Sequence, residues 1–123
     1  MGKLVLIVDD SASVRQQVGM ALGQAGFEML EAGDGKEGVA AVASNPNIAM
    51  VVCDVNMPNM NGLDMVGEVK KNPANKALPI IMLTTEGQPA LIKKAKEAGA
   101  VGWIVKPFNA AQLVATVKKL TGG

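Results

Sequence analysis

Histidine and tyrosine are absent from the 123 residues, and Cys53 is the only cysteine. A single thiol cannot close an intramolecular disulfide, and without histidine there is no Cys/His zinc site. Both absences fit a reducing cytoplasm, the expected location. Aromatic side chains make up 2 % of the chain, which leaves little to stack on a flavin. Neither sign of charge dominates: 12 basic and 11 acidic residues leave +1, and nothing points to nucleic acid as a partner. No apolar stretch reaches membrane-spanning length, so no membrane insertion is expected. The N-terminal run from Leu4 to Val8 is too short for a signal-peptide core and stops at Asp9 and Asp10. Repeats, linkers and low-complexity segments are missing, as is the G-x-x-x-x-G-K-[ST] loop of nucleotide hydrolases.

What is present is an alternation of short β-rich apolar runs with longer amphipathic ones, in a chain of one-domain size. This is the pattern of βαβ units around a parallel sheet covered on both faces, an α/β fold. Five strands are predicted, Leu4–Val8, Phe27–Leu30, Ala49–Cys53, Ile80–Leu83 and Val101–Val105. The first, third and fourth are nearly all apolar and read as buried; the second, with Glu28 inside it and Glu31 after it, reads as an edge.

Five helices fall between and after them. The first carries Val14, Val18, Leu22 and Ala25 on one face, with Gly26 placed to cap its end. The second starts near Asp34, and Glu37 three residues on predicts a reciprocal capping box. The third carries Leu63, Val66 and Val69 and ends before Asn72-Pro73. The fourth opens with Pro89 and closes at Gly99. The last begins near Asn109, with Gln112 three on, and buries Leu113, Val117 and Leu120.

Four strands end in polar residues that a core would not favour: Asp9-Asp10, Asp54, Thr84-Thr85 and Lys106. In a parallel sheet these ends share one edge, where ligands of open α/β sheets bind. Three crowded carboxylates repel one another unless a divalent cation sits among them, and an all-oxygen donor set suggests Mg²⁺. Lys106 and the Thr84 hydroxyl supply the charge and hydrogen bond that a transferred phosphoryl group needs. An aspartate can itself be the nucleophile, giving an acyl phosphate.

Val8-Asp9-Asp10-Ser11, Asp54-Val55-Asn56-Met57-Pro58 with Asn61-Gly62, Leu83-Thr84-Thr85-Glu86 and Gly102-Trp103-Ile104-Val105-Lys106-Pro107-Phe108 together resemble the receiver domains of two-component response regulators, of the free-standing chemotaxis kind. The resemblance spans essentially the whole chain. It implies a single-domain flavodoxin-like (βα)5 doubly wound sandwich over residues 1–123, with a five-stranded parallel sheet in the order 2-1-3-4-5. The first and third strands then flank the point where strand order reverses.

Residue by residue, the resemblance implies that Asp54 accepts the phosphoryl group. Asp10, Asp54 and the backbone carbonyl of Asn56 would hold Mg²⁺ directly, and Asp9 would act mainly through water. Thr84 would bond the phosphoryl group and move with it, and Lys106 would act as its counter-ion. The Lys106-Pro107 bond is implied to be cis. Two residues depart from the family pattern. Trp103 stands where Tyr or Phe usually serves as a rotating switch, so the switch differs, and packing alone is an equal reading of it. Thr85 replaces the common Ala or Gly and would narrow access to the phosphoryl group. Asn56 and Glu86, flanking the site, suggest fairly quick hydrolysis of that group.

Blander readings exist for each residue. Asp9 and Asp10 could cap the first helix, Thr84 could simply end a strand, and Lys106 could be a solvated lysine. It is their clustering that favours a site. Cys53 reads as a small apolar core residue, the eight methionines as core filling and loop contacts, and Lys93, Lys94, Lys96, Lys118 and Lys119 as solvated helical faces. Gly33 to Gly38 spells the dinucleotide motif G-x-G-x-x-G. It follows an edge strand, however, and Asp34 and Glu37 would repel a pyrophosphate.

The function expected is therefore a phospho-accepting signalling domain and not an enzyme acting on other molecules. It would be served by a chemotaxis-type histidine kinase and would pass its signal, as a monomer, through protein contacts to the flagellar motor switch. A phosphorelay shuttle or phosphate sink is the alternative within this class. A Mg²⁺-dependent aspartyl-phosphate hydrolase is the rival outside it, although that chemistry wants D-x-D on one strand and a cap domain.

Overall fold

In a computed structural model that describes residues 2–122, the chain runs β1 (Leu4–Val8), α1 (Ala12–Gln24), β2 (Glu28–Ala32), α2 (Gly35–Ser44), β3 (Ile48–Cys53), α3 (Gly62–Lys71), β4 (Ile80–Thr84), α4 (Pro89–Ala98), β5 (Gly102–Val105) and α5 (Ala110–Thr121). A short 3₁₀ turn at Pro73–Asn75, not anticipated from the sequence, links α3 to β4. All strands pair in parallel in the order β2-β1-β3-β4-β5. This is the flavodoxin-like α/β fold.

Alternation along the central strands explains why β1, β3 and β4 are apolar throughout. Leu6, Val8, Val51, Cys53, Ile80 and Met82 point into a cluster closed by Val42 of α2, Met65, Val66 and Val69 of α3 and Ala95 of α4. Val5, Ile7, Met50, Val52, Ile81 and Leu83 point the other way, against Val18 and Leu22 of α1 and Leu113 and Val117 of α5. With both faces covered, every position on these strands but the half-buried Leu4 and Ala49 is interior. Each fully buried Leu, Ile or Met side chain contributes about 1.5–3 kcal/mol of transfer free energy. Three methionines, Met50, Met65 and Met82, are completely buried, whereas Met20 is exposed.

The second strand lies at the edge, as expected, but its span is Glu28–Ala32 and not Phe27–Leu30. The cause is the end of α1. Gly26 adopts φ 95°, and the Phe27 N–H donates back to the Leu22 carbonyl at 3.0 Å, so Phe27 finishes the helix cap and buries its ring. Pairing starts one residue later, Leu4 opposite Glu28. Glu28 and Glu31 are exposed there, which an edge strand tolerates. At β4 the ladder extends one residue further than expected, because Thr84 pairs with Val105. Val101 lies just outside β5, and Leu120, in the last turn of α5, is half-buried.

Asp34 and Asn109 open α2 and α5 as expected. Ser11, Asp34, Asn61 and Asn109 each accept a backbone N–H three residues on, and Gly99 at φ 120° ends α4. The capping box of α2 is displaced by one residue. Asp34 Oδ1 accepts the Glu37 N–H at 2.8 Å, but the Glu37 carboxylate accepts from Gly33 N–H at 3.0 Å, not from Asp34.

The Glu37 N–H, then the Asn59 side chain, hold the Asp34 carboxyl below its ordinary value of 3.8. A carboxyl whose folded value is depressed adds stability that is complete above the unfolded value and lost as pH falls through the folded one. Urea midpoints of wild type and Asp34→Ser should therefore differ at neutral pH and converge on acidification below about pH 4. A constant gap down to the acid transition would contradict the assignment.

Candidate metal and phosphoryl site

At the C-terminal edge of the sheet, each polar residue is aimed by an extension of the strand ladder. The Asp9 N–H donates to the Ala32 carbonyl at 3.1 Å, the Asp54 N–H to Val8 at 2.9 Å and the Lys106 N–H to Thr84 at 2.8 Å. Asp9, Asp10, Asp54 and Lys106 come together there, and Thr84 ends the neighbouring strand β4. Asp9, Asp54 and Thr84 are buried and Asp10 is exposed.

Within this pocket Asp9, Asp10 and Asp54 each offer a carboxylate oxygen, and the three oxygens lie within 4.8 Å of one another. Lys106 Nζ lies 2.8 Å from Asp9 Oδ2 and 3.5 Å from Asp54 Oδ2. One ammonium against three carboxylates leaves excess negative charge in a partly desolvated pocket. A hard cation with oxygen ligands fits that surplus, and the donor set holds no nitrogen or sulfur that would favour a softer metal.

The two buried carboxylates are fixed by backbone donors. Asp54 Oδ1 accepts its neighbour Val55 N–H at 2.7 Å, and Asp9 Oδ1 accepts the Ser11 N–H at 2.9 Å. The helix-capping reading of the aspartates does not hold, because Ser11 is the cap of α1. Arg15, which the sequence did not single out, anchors the same turn: Nη1 donates to the Asp9 carbonyl at 2.6 Å, and Nε pairs with Glu31 at 2.9 Å. No spacing signal marks it, since Arg15 lies on the polar side of α1.

Glu86 joins three parts of the rim. Its N–H donates to Thr84 Oγ1 at 3.3 Å, its carboxylate accepts from Asn56 Nδ2 at 3.0 Å, and its carbonyl accepts from the Trp103 indole at 2.8 Å. Trp103 is half-buried and also packs against the cluster under α2, α3 and α4. Its ring is thus both packed and tied to the residue that touches Thr84. Thr85 is exposed. The Lys106-Pro107 bond is cis.

Next to Asp54, the Gly62 N–H donates to the Val55 carbonyl at 2.8 Å, and a Cβ at Gly62 would lie 1.9 Å from the Asp54 carbonyl oxygen. Only glycine allows that approach. Cys53, one residue before Asp54, is completely buried, and burial pushes its thiol well above the ordinary value. At the G-x-G-x-x-G stretch, Asp34 and Glu37 already occupy the amides of Glu37 and Gly33. The space at Gly35 is taken by the Met60 carbonyl, 2.4 Å from where a Cβ would lie. These contacts account for the motif without a nucleotide.

Among the described residues no helix is long and apolar enough to cross a membrane. Comparison with known proteins agrees with the geometry. The family model described as "Response regulator receiver domain" matches residues 5–118. The chain is 42 % identical over 106 residues to chemotaxis protein CheY1 of Helicobacter pylori, covering 85 % of this chain and 86 % of that protein. It superposes on chemotaxis protein CheY4 of Vibrio cholerae with a TM-score of 0.91 at 41 % identity, over 98 % of this chain and 99 % of the other. It also superposes on a structure of the CheX-CheY-BeF3-Mg²⁺ complex of Borrelia burgdorferi, with a TM-score of 0.89 at 32 % identity, over 95 % of this chain and 87 % of that one. With its sequence, strand order and acidic pocket in agreement, the chain belongs to the response regulator receiver domain family.

Proposed function

We propose that the chain is a receiver that accepts a phosphoryl group on Asp54 with Mg²⁺ held by Asp10, Asp54 and the Asn56 carbonyl. The observation that carries this reading is the buried Asp54 carboxylate, pinned on Oδ1 by the Val55 amide and faced on Oδ2 by Lys106. An Asp54 oxygen bonds to phosphorus as the bond from phosphorus to the donor breaks, a histidine N–P bond or the P–O bond of acetyl phosphate. Lys106 stabilises charge on the transferred group, and the hydroxyl of buried Thr84 would donate a hydrogen bond to a phosphoryl oxygen. Held by these carboxylates, Mg²⁺ would supply the positive charge that lets the incoming phosphate approach them. Asp9 keeps Lys106 in place and would act on the ion mainly through water.

The donor is a chemotaxis-type histidine kinase and the working compartment is the cytoplasm. Residues 1–123 act as one domain, which catalyses only its own phosphorylation and dephosphorylation. The signal leaves through the face of α4, β5 and α5. There the Thr84–Glu86–Trp103 contacts meet the surface, and Val101 and Val105 are 55 % and 47 % exposed. A flagellar motor switch protein is the target this face would serve.

Intact mass measured promptly after incubation with acetyl phosphate and Mg²⁺ should show one added phosphoryl group, absent from Asp54→Asn and from Mg²⁺-free samples. Labelling that persists in Asp54→Asn would move the acceptor elsewhere. No labelling of wild type, together with no change in Trp103 fluorescence on adding beryllofluoride, would end the phosphoryl reading. A pull-down in which the phosphorylated form ignores the switch protein but binds a phosphotransfer protein would replace motor control by a relay.

A further inference from the structure

Outside the pocket, the start of α2 grips the loop that follows β3. Asp34 Oδ1 caps α2, while Asp34 Oδ2 accepts a hydrogen bond from Asn59 Nδ2 at 2.7 Å. One residue further along, the Gly35 N–H donates to the Met60 carbonyl at 3.1 Å. Asn59 itself sits at φ 66°, and no other non-glycine residue among those described has a positive φ. This loop leaves β3 at Asp54, carries Asn56 and closes at Gly62 on the Val55 carbonyl. Its two ends are thus fixed by backbone contacts at the acceptor and its middle by Asp34.

We infer that Asp34 is a positioning residue for the metal site, its clasp on Asn59 holding the loop so that the Asn56 carbonyl is aimed beside Asp10 and Asp54 before the ion arrives. The inference rests on the Mg²⁺ reading given above. A backbone carbonyl can serve as a ligand only in the direction its peptide plane allows, and a loop free to sample other planes must be ordered at the binding step. Asn tolerates the left-handed region better than most residues, and its amide is what Asp34 holds. Neutral caps such as Ser would preserve α2 equally well. The carboxylate at position 34 therefore has a use beyond the helix, reaching Asn59 where a shorter side chain would not.

The test compares wild type with Asp34→Ser, which keeps a helix cap but cannot span to the loop, with Asn59→Gly, which keeps the positive φ but has no amide, and with the double variant. NMR amide shifts during a MgCl2 titration of the unphosphorylated proteins give the half-saturating concentration. Each single variant should need about tenfold more Mg²⁺, the lower end of the range for partners that orient metal ligands. The double variant should also need about tenfold and not the product of the two, because both changes remove one contact. Labelling by acetyl phosphate should return to the wild-type extent when Mg²⁺ is raised by the same factor. Melting without metal is recorded alongside. If the variants melt earlier yet bind Mg²⁺ as wild type does, the clasp only stabilises the fold and the inference is overturned. If wild type itself shows no Mg²⁺-dependent shifts, the metal reading fails first, and the two failures are thereby told apart.

Discussion

Lys106→Met should lower stability in Mg²⁺-free buffer at neutral pH by about 3 kcal/mol, the lower end of the cost of removing one partner from a buried ion pair. Methionine keeps the apolar stem and removes only the ammonium. In wild type that ammonium lies 2.8 Å from Asp9 and 3.5 Å from Asp54, and the lysine side chain is 15 % exposed. Without it, three carboxylates face one another with no cation. The deficit should shrink when Mg²⁺ is added, since the ion then supplies the missing charge, and the Mg²⁺-induced rise in urea midpoint should be larger in the variant than in wild type. Phosphoryl uptake from acetyl phosphate should slow by about a hundredfold even in saturating Mg²⁺, the usual loss when one stabilising donor is removed from developing charge. A variant as stable as wild type without metal and labelled at the same rate would mean that Lys106 faces solvent, not the cluster.

Gly62→Ala is the second large effect, and its origin is steric. The added methyl carbon would lie 1.9 Å from the Asp54 carbonyl oxygen and 2.9 Å from its carbonyl carbon. Backbone atoms cannot rotate away, so either α3 retreats from the sheet or the residue that carries the acceptor shifts. A cost of about 3 kcal/mol is expected, the upper part of the overpacking range, together with slower labelling of Asp54. Gly67→Ala, on the same helix, is the control. Beyond its chain neighbours and its own helix backbone, nothing lies within 4 Å of a Cβ there, and replacing glycine in a helix should stabilise by about 0.5–1 kcal/mol. Urea denaturation of the pair separates a local clash from a general intolerance of α3 to substitution. Equal effects of the two substitutions would contradict the close approach at Gly62.

The pocket was legible in the sequence because a parallel sheet turns order along the chain into proximity. Once β1, β3, β4 and β5 are read as strands of one parallel sheet, Asp9-Asp10, Asp54, Thr84 and Lys106 must emerge on one edge. The strand order itself came from the resemblance and not from periodicity. What escaped reading depends on how loops meet, which no local pattern encodes. Arg15 reaches the Asp9 carbonyl from a helix face that reads as solvated. Asp34 and Asn59 are 25 residues apart, and nothing in either neighbourhood announces the other. The edge strand was misplaced by the same kind of event, since Phe27 is claimed by the end of α1 before the ladder can use it. Trp103 reads equally as packing or switch in the sequence, and its ring packs on the core while its indole N–H donates to the Glu86 carbonyl, a contact no local pattern encodes.

Cys53 occupies the last position of the central strand β3, wholly shielded, one peptide from Asp54. A water-borne alkylating reagent reaches its sulfur only when β3 comes away from its neighbours, and the raised thiol value slows any reaction short of that. The chain therefore carries a covalent clock in its deepest layer. Mass-resolved alkylation over hours counts openings of the sheet one molecule at a time. The same spectrum weighs the phosphoryl group, so the lifetime of the modified state and the openness of the fold beneath it can be read from a single sample.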